Sequence, residues 1–401
     1  MHSIQKAALI RRLAFSLTIL SLFVACEDPG SVGGEFVDQT EVLVDTMLIN
    51  TLTLSTENPY LGRQTLSPIG EFDDQVFGAV QAQSYFKPEI DYFSATDSTI
   101  NIASSLTMRL RVSEDDVYGN IESTATYSVY RVNELWRGST YTKEDTLTTG
   151  AEVVGSFSDA DIDSAGFIDF EMGGTWKQDY VDFFNVKGDD LRQDSYRDND
   201  FGLAIIPDVG TEKVNYINFG LSSLMIITGD TSSVDMVDWT SDITRSGELD
   251  EIDRIKVHST YDRYMTLNLK EIIEAAATDN FVRVELILVQ DTLSLSNGLG
   301  PTEERSIAPS FRLVQGPLDG SDDRAYEFSF SDDVISGFYI DGEYRFNIST
   351  LVNDDAYSDS PIEEVYIFPY SSNGVLEYSS IFSPGVSTPL APKIIIYGLE
   401  E

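Results

Sequence analysis

The stretch Leu106-Thr107-Met108-Arg109-Leu110-Arg111-Val112 alternates strictly between apolar and polar residues. In an extended chain, its apolar side chains all point to one side and its polar side chains to the other. A period of two predicts an antiparallel strand with one face buried and the other in water. Tyr127–Val132 and Phe167–Met172 have the same character. We therefore expect a mainly β protein.

Strand-like runs occur in two similar series along the chain. The first series is Leu106–Val112, Tyr127–Val132, Phe167–Met172, Phe201–Pro207 and Ser223–Ile227; the second is Val282–Val289, Phe311–Val314, Tyr344–Leu351, Val365–Pro369 and Lys393–Tyr397. The series predict two copies of one antiparallel β-sandwich or jelly-roll-like module. The alternative is two unrelated β domains, which would also yield such series.

The domain boundaries follow from these series. We expect the first module at 37–230, the second at 254–401, and between them a linker at 231–253, which is acidic and polar without a clear period. Helical spacing of apolar residues predicts only a few short helices. The best candidates are Leu267–Ala277, which Asn268 would cap, and Trp176–Phe184.

The N-terminus has the pattern of an export signal. Lys6, Arg11 and Arg12 precede an apolar run, Leu13–Ala25, that is too short to span a bilayer. The run ends at Cys26, the only cysteine of the chain. We expect residues 1–25 to be removed, Cys26 to be acylated, and 26–36 to form a flexible tether. The alternative is an ordinary secretory signal with an incidental cysteine.

The charge of the chain limits its partners. It carries 67 acidic and 26 basic side chains, for a formal net charge of −41. Such a field repels nucleic acid, so we expect no nucleic-acid partner. With 42% hydrophobic residues the chain is not expected to be disordered, so the acids must lie on its surface. They either hydrate that surface or attract divalent cations or basic partners.

Two resemblances add to this interpretation. Gly70-Glu71-Phe72-Asp73-Asp74-Gln75-Val76-Phe77-Gly78, the export signal and the closing Pro392-Lys393-Ile394-Ile395-Ile396-Tyr397 resemble the uncharacterised Bacteroidota-type lipoproteins grouped as domain of unknown function 4270. This resemblance implies a lipid-anchored protein of the outer membrane, on its periplasmic or cell-surface face, with no established activity. The region from Ser105 through Trp136 to Phe170 is similar to DNRLRE-type jelly-roll modules, which implies a fold and, secondarily, carbohydrate binding.

Few side chains of this sequence could take part in catalysis. Because His2 belongs to the signal, His258 is the only other histidine, and it lies in a strand-like run. A His/Cys zinc site cannot be assembled from one histidine, and a nucleophile–histidine pair would have to use His258, for which a structural role is expected instead. Glycoside hydrolysis needs only two carboxylates, but the sequence singles out no pair. We therefore expect a protein that is not an enzyme.

Two kinds of ligand site remain as weaker candidates. Asp159, Asp161 and Asp163 alternate as in a calcium loop, and Asp189 and Asp190 begin a second acidic cluster. Solvated acidic loops are the alternative for both. Trp136, Trp176 and Trp239 could stack on sugar rings, with core packing as the alternative. The leading expectation is a non-catalytic envelope lipoprotein that contacts an envelope protein; a carbohydrate-binding lipoprotein and an acid-pair glycoside hydrolase follow.

Overall fold

The structure is a computed structural model, and it describes residues 42–56, 61–90, 100–228, 231–247, 251–259, 263–276, 281–308, 310–315, 334–359, 361, 364–369, 374–387 and 389–399. The predicted signal, Cys26 and tether lie outside these residues. The predicted fold class is confirmed, because the described chain is mainly β, with large antiparallel sheets and a few short helices. Among the described residues, no helix combines the length and apolarity needed to cross a membrane.

Three sheets organise the chain. The N-terminal module is an eleven-stranded sheet of β3 (Ser67–Asp74), β4 (Gly78–Pro88), β5 (Ser105–Val112), β6 (Tyr118–Asn120), β7 (Thr126–Val132), β8 (Thr149–Ser158), β9 (Phe167–Glu171), β10 (Leu203–Pro207), β11 (Lys213–Ile227), β12 (Thr231–Ser246) and β16 (Glu303–Glu304). The C-terminal module is a nine-stranded sheet of β1 (Val42–Leu48), β2 (Thr53–Thr56), β14 (Arg263–Asn268), β15 (Phe281–Val289), β18 (Ser310–Gln315), β19 (Val334–Ile340), β20 (Glu343–Asn347), β21 (Glu364–Pro369) and β23 (Lys393–Leu399). A small third sheet contains β13 (Arg254–His258), β17 (Ser306–Ile307) and β22 (Glu377–Phe382).

The helices are short and lie between strands. They are α1 (Gly174–Phe184), α2 (Asp189–Asn199), α3 (Lys270–Ala276), α4 (Thr292–Ser296) and α5 (Ser349–Ala356). The predicted helix at Trp176–Phe184 corresponds to α1. The other predicted helix begins later than expected, because Leu267 pairs with Val365 in the β14–β21 ladder. Asn268 then accepts a hydrogen bond from the backbone N–H of Lys270 at 2.9 Å, where the helix starts.

The two modules share one pairing pattern. In the N-terminal module β5 pairs with β9 and β11, and β10 pairs with β7 and β4. In the C-terminal module β15 pairs with β20 and β23, and β21 pairs with β18 and β14. All of these pairs are antiparallel, and three pairs in each module join strands that the two series align, whereas β4 and β14 lie outside the series. Such shared pairings are what two copies of one module would give.

Strands from unexpected parts of the chain complete both modules, and here the structure differs from the predicted boundaries. Residues 231–246, expected in a linker, form β12, which pairs first with β11 and then with β4. Residues 42–56, expected in the first module, form β1 and β2, which pair with β23 and β14 of the C-terminal module. The physical reason is that a strand with one wet face is polar at every second residue, so composition alone does not separate it from a linker.

The N-terminal segment makes the C-terminal sheet curl. β1 and β2 are the two edges of the nine-stranded sheet, yet only Ile49–Leu52 connects them. Such a connection spans at most about 17 Å, whereas the edges of a flat sheet of this size would be about 38 Å apart. The edges must therefore approach each other, and the resulting interior is filled by apolar side chains that include Leu286, Phe346 and Ile273.

Removing a core contact of β1 should destabilise the C-terminal module. Met47 packs against its core, whereas Leu43 on the same strand is 51% exposed. We expect Met47→Ala to lower the free energy of unfolding by about 2 kcal/mol and the control Leu43→Ala to change it by less than about 0.5 kcal/mol. Urea unfolding measures both. Equal, small losses would contradict the assignment of β1 to this core.

Candidate functional site

The motif at 70–78 divides into two faces because a strand alternates. On β3, Phe72 and Asp74 are buried, whereas Asp73 is exposed and Glu71 is half-buried. The inward side chains meet residues of the C-terminal half of the chain, in a contact that we call the joint. The outward side chains line an open cleft. One short motif therefore contributes to both features.

A buried ion pair is the centre of the joint. The Asp74 carboxylate accepts hydrogen bonds from Nε and Nη2 of Arg305, each at 2.7 Å, and both side chains are 0% exposed. Asp74 also accepts from the Tyr118 hydroxyl at 2.8 Å and from the backbone N–H groups of Val76 and Phe77 at 2.7 and 2.8 Å. The two Arg305 hydrogen bonds hold the turn from β3 to β4 against a residue 231 positions further along the chain.

These contacts determine the charge state of Asp74. Burial alone raises the pKa of a carboxyl group, but the hydrogen bonds and charge of Arg305, with the N–H groups of Phe77 and Val76, outweigh it and hold the pKa of Asp74 below its ordinary value. The carboxylate is therefore ionised at neutral pH. A buried pair of this kind is costly to break, because the remaining charge has no solvent.

Aromatic rings surround the pair and connect the sheets. Tyr378 of β22 lies with its ring centroid 4.8 Å from that of Phe77 and 4.8 Å from that of Tyr118, and the Phe72 and Tyr118 rings are 5.0 Å apart edge-to-face. The Arg305 guanidinium carbon lies 4.9 Å from the centre of the Phe77 ring. The joint thus combines apolar packing with one satisfied ion pair.

The last glycine of the motif is required by the backbone. Gly78 has φ = +80°, and a Cβ there would lie 2.1 Å from the carbonyl oxygen of Ser246 on β12. Any other residue would push β12 away from the turn, because the clash is with backbone atoms.

The cleft is an open depression of about 740 Å³ beside the joint. Its floor is the outer face of β3, β4 and β12, where Glu71 is opposite Gln81 and Asp73 is opposite Ala79. Glu212, before β11, and Glu303, on β16, contribute two further carboxylates to its lining. Glu212 accepts from the Asn120 side chain at 3.1 Å, and Glu303 accepts from the Gly300 N–H at 2.5 Å. Arg245 of β12 also belongs to the lining, which thus carries four carboxylates and one guanidinium and on balance favours a cationic ligand.

The calcium candidates do not converge in the structure. Asp159 accepts from the Ala125 N–H at 3.0 Å and forms an ion pair with Lys213 at 2.6 Å, so both of its oxygens are engaged. Asp163 accepts from the N–H groups of Ala165 and Phe167, and Asp161 is exposed. Asp189 and Asp190 lie at the start of α2, where Asp190 is exposed and the Asp189 side chain is outside the described part. Within the described residues, no group of three or more His, Cys, Asp or Glu side chains could hold a metal ion.

Each of the three candidate tryptophans is held by contacts within the protein. Trp176 is 0% exposed and stacks on Tyr180 with ring centroids 5.0 Å apart, so its ring packs in the core, which is the alternative to sugar stacking. Trp136 and Trp239 are half-buried, and their indole N–H groups donate to the carbonyl oxygens of Phe201 at 2.7 Å and Gln64 at 2.8 Å. The helical spacing that predicted α1 also gives the reason, because the buried face of α1 carries Trp176.

Sequence reasoning missed the partners of the joint. Alternation along β3 places Asp74 on the same face as Phe72, which indicates that its carboxylate is buried. A buried carboxylate needs a cationic partner. No pattern identifies which cation, and Arg305 lies in a short connection between β16 and β17. His258, expected to be structural, is 0% exposed on β13, and its ring centroid is 6.4 Å from that of Tyr378.

Comparison with known proteins adds no relative. No protein-family model matches the chain, and no curated protein matches it.

Loss of the Asp74 charge should weaken the joint. We expect Asp74→Asn to lower the free energy of unfolding at pH 7 by about 3–5 kcal/mol, because it leaves Arg305 buried without a counter-charge. The neighbouring Asp73→Asn is the matched control and should change it by less than about 0.5 kcal/mol.

The same pair of variants has a predicted pH dependence. A carboxylate whose pKa is depressed in the folded state contributes stability above its unfolded pKa, about 3.9. That contribution is lost as pH falls through the folded pKa. Urea unfolding should therefore show a constant gap between wild type and Asp74→Asn from pH 7 to about 5, and a narrowing gap below about 4. A gap that widens in acid would contradict the depressed pKa.

Proposed function

We propose that this protein is a non-catalytic, lipid-anchored component of the outer membrane that binds a basic segment of an envelope partner in its acid-lined cleft. Membership of the uncharacterised Bacteroidota-type lipoprotein family is part of the proposal. The observation that carries it is the cleft, whose carboxylates Glu71, Asp73, Glu212 and Glu303 surround one open space.

Two properties of the cleft favour contact with a protein segment. Its floor consists of paired strands, which hold the carboxylates in place without reorganisation, and preorganised charge favours binding. The openness of the depression suits an extended chain better than an enclosed small molecule. Since the protein carries a formal net charge of −41, long-range attraction of a basic partner would speed the encounter.

The tryptophans give less support to carbohydrate binding. Sugar recognition needs exposed aromatic faces in a shallow groove. Among the described tryptophans, Trp176 is fully buried, and Trp136 and Trp239 are half-buried and held by hydrogen bonds from their indole N–H groups to the backbone. A partner protein is therefore the better candidate.

The lipid anchor is tested by metabolic labelling. Cells that express the full chain and are fed an alkyne-tagged palmitate should incorporate the label into wild type but not into Cys26→Ser. The reason is that only a thiol at the end of the leader is acylated. An unlabelled wild-type chain would contradict the anchor and would leave the cleft proposal to be judged separately.

The cleft is tested by affinity purification from native membranes with quantitative mass spectrometry. The double variant Glu71→Gln/Asp73→Asn should recover a basic partner several-fold less than wild type, and 0.5 M salt should reduce recovery from wild type in the same direction, because screening shortens the reach of the charges to a few ångströms.

The matched control is Glu122→Gln/Asp190→Asn, which removes the same charge from exposed positions outside the cleft lining. It should retain the partner at the wild-type level. The absence of any stoichiometric partner, or a partner that the cleft variant retains in full, would overturn the proposal.

A further inference from the structure

Exposed aliphatic side chains gather at one end of the C-terminal sheet. Leu43 and Val44 of β1 are 51% and 59% exposed, and Val282 of β15 is 59% exposed. Leu43 and Val44 pair with residues 397–398 of β23, and Val282 lies between the two residues of β15 that pair with the same range. The three side chains therefore occupy the same end of three adjacent strands, which we call the aliphatic end.

The polar neighbours of the aliphatic end suit a boundary between water and hydrocarbon. The half-buried Tyr397 donates from its hydroxyl to Glu285 at 3.3 Å, and the Arg283 side chain, 55% exposed, forms an ion pair with the same carboxylate. Tyrosine and arginine flank apolar residues at bilayer surfaces, because each has an apolar body and a polar tip. The only carboxylate of β1, Asp45, accepts from the Thr46 N–H at 2.7 Å.

The predicted membrane anchor leads into the fold at this same end. β1 begins at Val42, 16 residues after Cys26. A chain of that length spans at most about 55 Å, so an acylated Cys26 would keep the start of β1 within that distance of the bilayer. Attachment also raises the effective concentration of the bilayer at the protein surface, so weak apolar contacts suffice to orient a tethered body.

We propose that the aliphatic end contacts the bilayer surface, with Leu43, Val44 and Val282 inserted at the boundary between headgroups and acyl chains. Apolar side chains at that depth contribute in proportion to the apolar area they bury. The lipid should be zwitterionic, because a protein with a formal net charge of −41 is repelled by an anionic surface. The inference rests on the lipid anchor of the proposed function and is independent of the cleft.

A single fluorescent label tests this contact in the acylated, full-length mature protein. Cys26 is the only cysteine of the chain, and its acylated form has no free thiol, so a cysteine introduced as Val44→Cys or Val282→Cys takes the only label. The probe is the environment-sensitive NBD group, in vesicles of phosphatidylcholine and phosphatidylethanolamine. Lipids with a nitroxide near the headgroup should reduce the emission at both positions about twofold or more, and the emission should shift to the blue.

The matched control lies at the opposite end of the same sheet. Ile340 is 53% exposed and pairs with Glu343, which pairs with Val289 of β15. Because Val289 is seven residues from Val282, the two ends are about 23 Å apart along the strand. NBD at Ile340→Cys should keep its emission in the same vesicles. Combining Val282→Cys with Leu43→Ser/Val44→Ser, both at exposed positions, should reduce the quenching at residue 282.

Flotation of the vesicles separates the possible failures. Protein that does not float with the lipid would contradict the anchor and, with it, this inference. Protein that floats while labels at residues 44 and 282 are quenched no more than the label at 340 would overturn the inference alone. Blue-shifted emission without quenching by nitroxide lipids would also overturn it, because a second copy or another protein would then cover the aliphatic end.

Discussion

The buried pair of Asp74 and Arg305 is the interaction on which the arrangement of the two halves depends. Its carboxylate holds the β3–β4 turn through two backbone N–H groups, while its partner guanidinium comes from the C-terminal half of the chain. Two buried charges are not in themselves a source of large stability, because their desolvation offsets their attraction. We infer that the pair contributes specificity instead, because a displaced arrangement of the halves would leave buried charges unpaired.

The alternation of side chains along a strand determines which residues of β3 contact the joint and which line the cleft. On β3, the side that carries Asp74 and Phe72 enters the joint, and the side that carries Glu71 and Asp73 faces the cleft. On β12, Thr244, Arg245 and Ser246 line the cleft, and the guanidinium of Arg245 also reaches Tyr378 in the joint. The joint and the cleft are therefore built on the same strands.

The sequence predicts most strands of this protein, but it does not predict which strands complete each sheet. Runs such as Leu106–Val112 identify a buried face directly, and the two aligned series correspond to one pairing pattern. A period of two states which face is buried but not which strand is the neighbour. For that reason β12 has the composition of a linker, and β1 and β2 give no sign that they complete a sheet near the other end of the chain. In the candidate site, the alternation along β3 predicts that Asp74 is buried, whereas only the folded structure identifies Arg305 as its partner.

The most direct test of the joint is urea unfolding followed by two probes. All three tryptophans, Trp136, Trp176 and Trp239, belong to the N-terminal half, so their fluorescence reports that half alone, whereas far-ultraviolet circular dichroism reports both. If the buried pair couples the halves, the two transitions coincide at one midpoint. A circular dichroism transition with a second phase that the tryptophans do not follow would contradict the coupling.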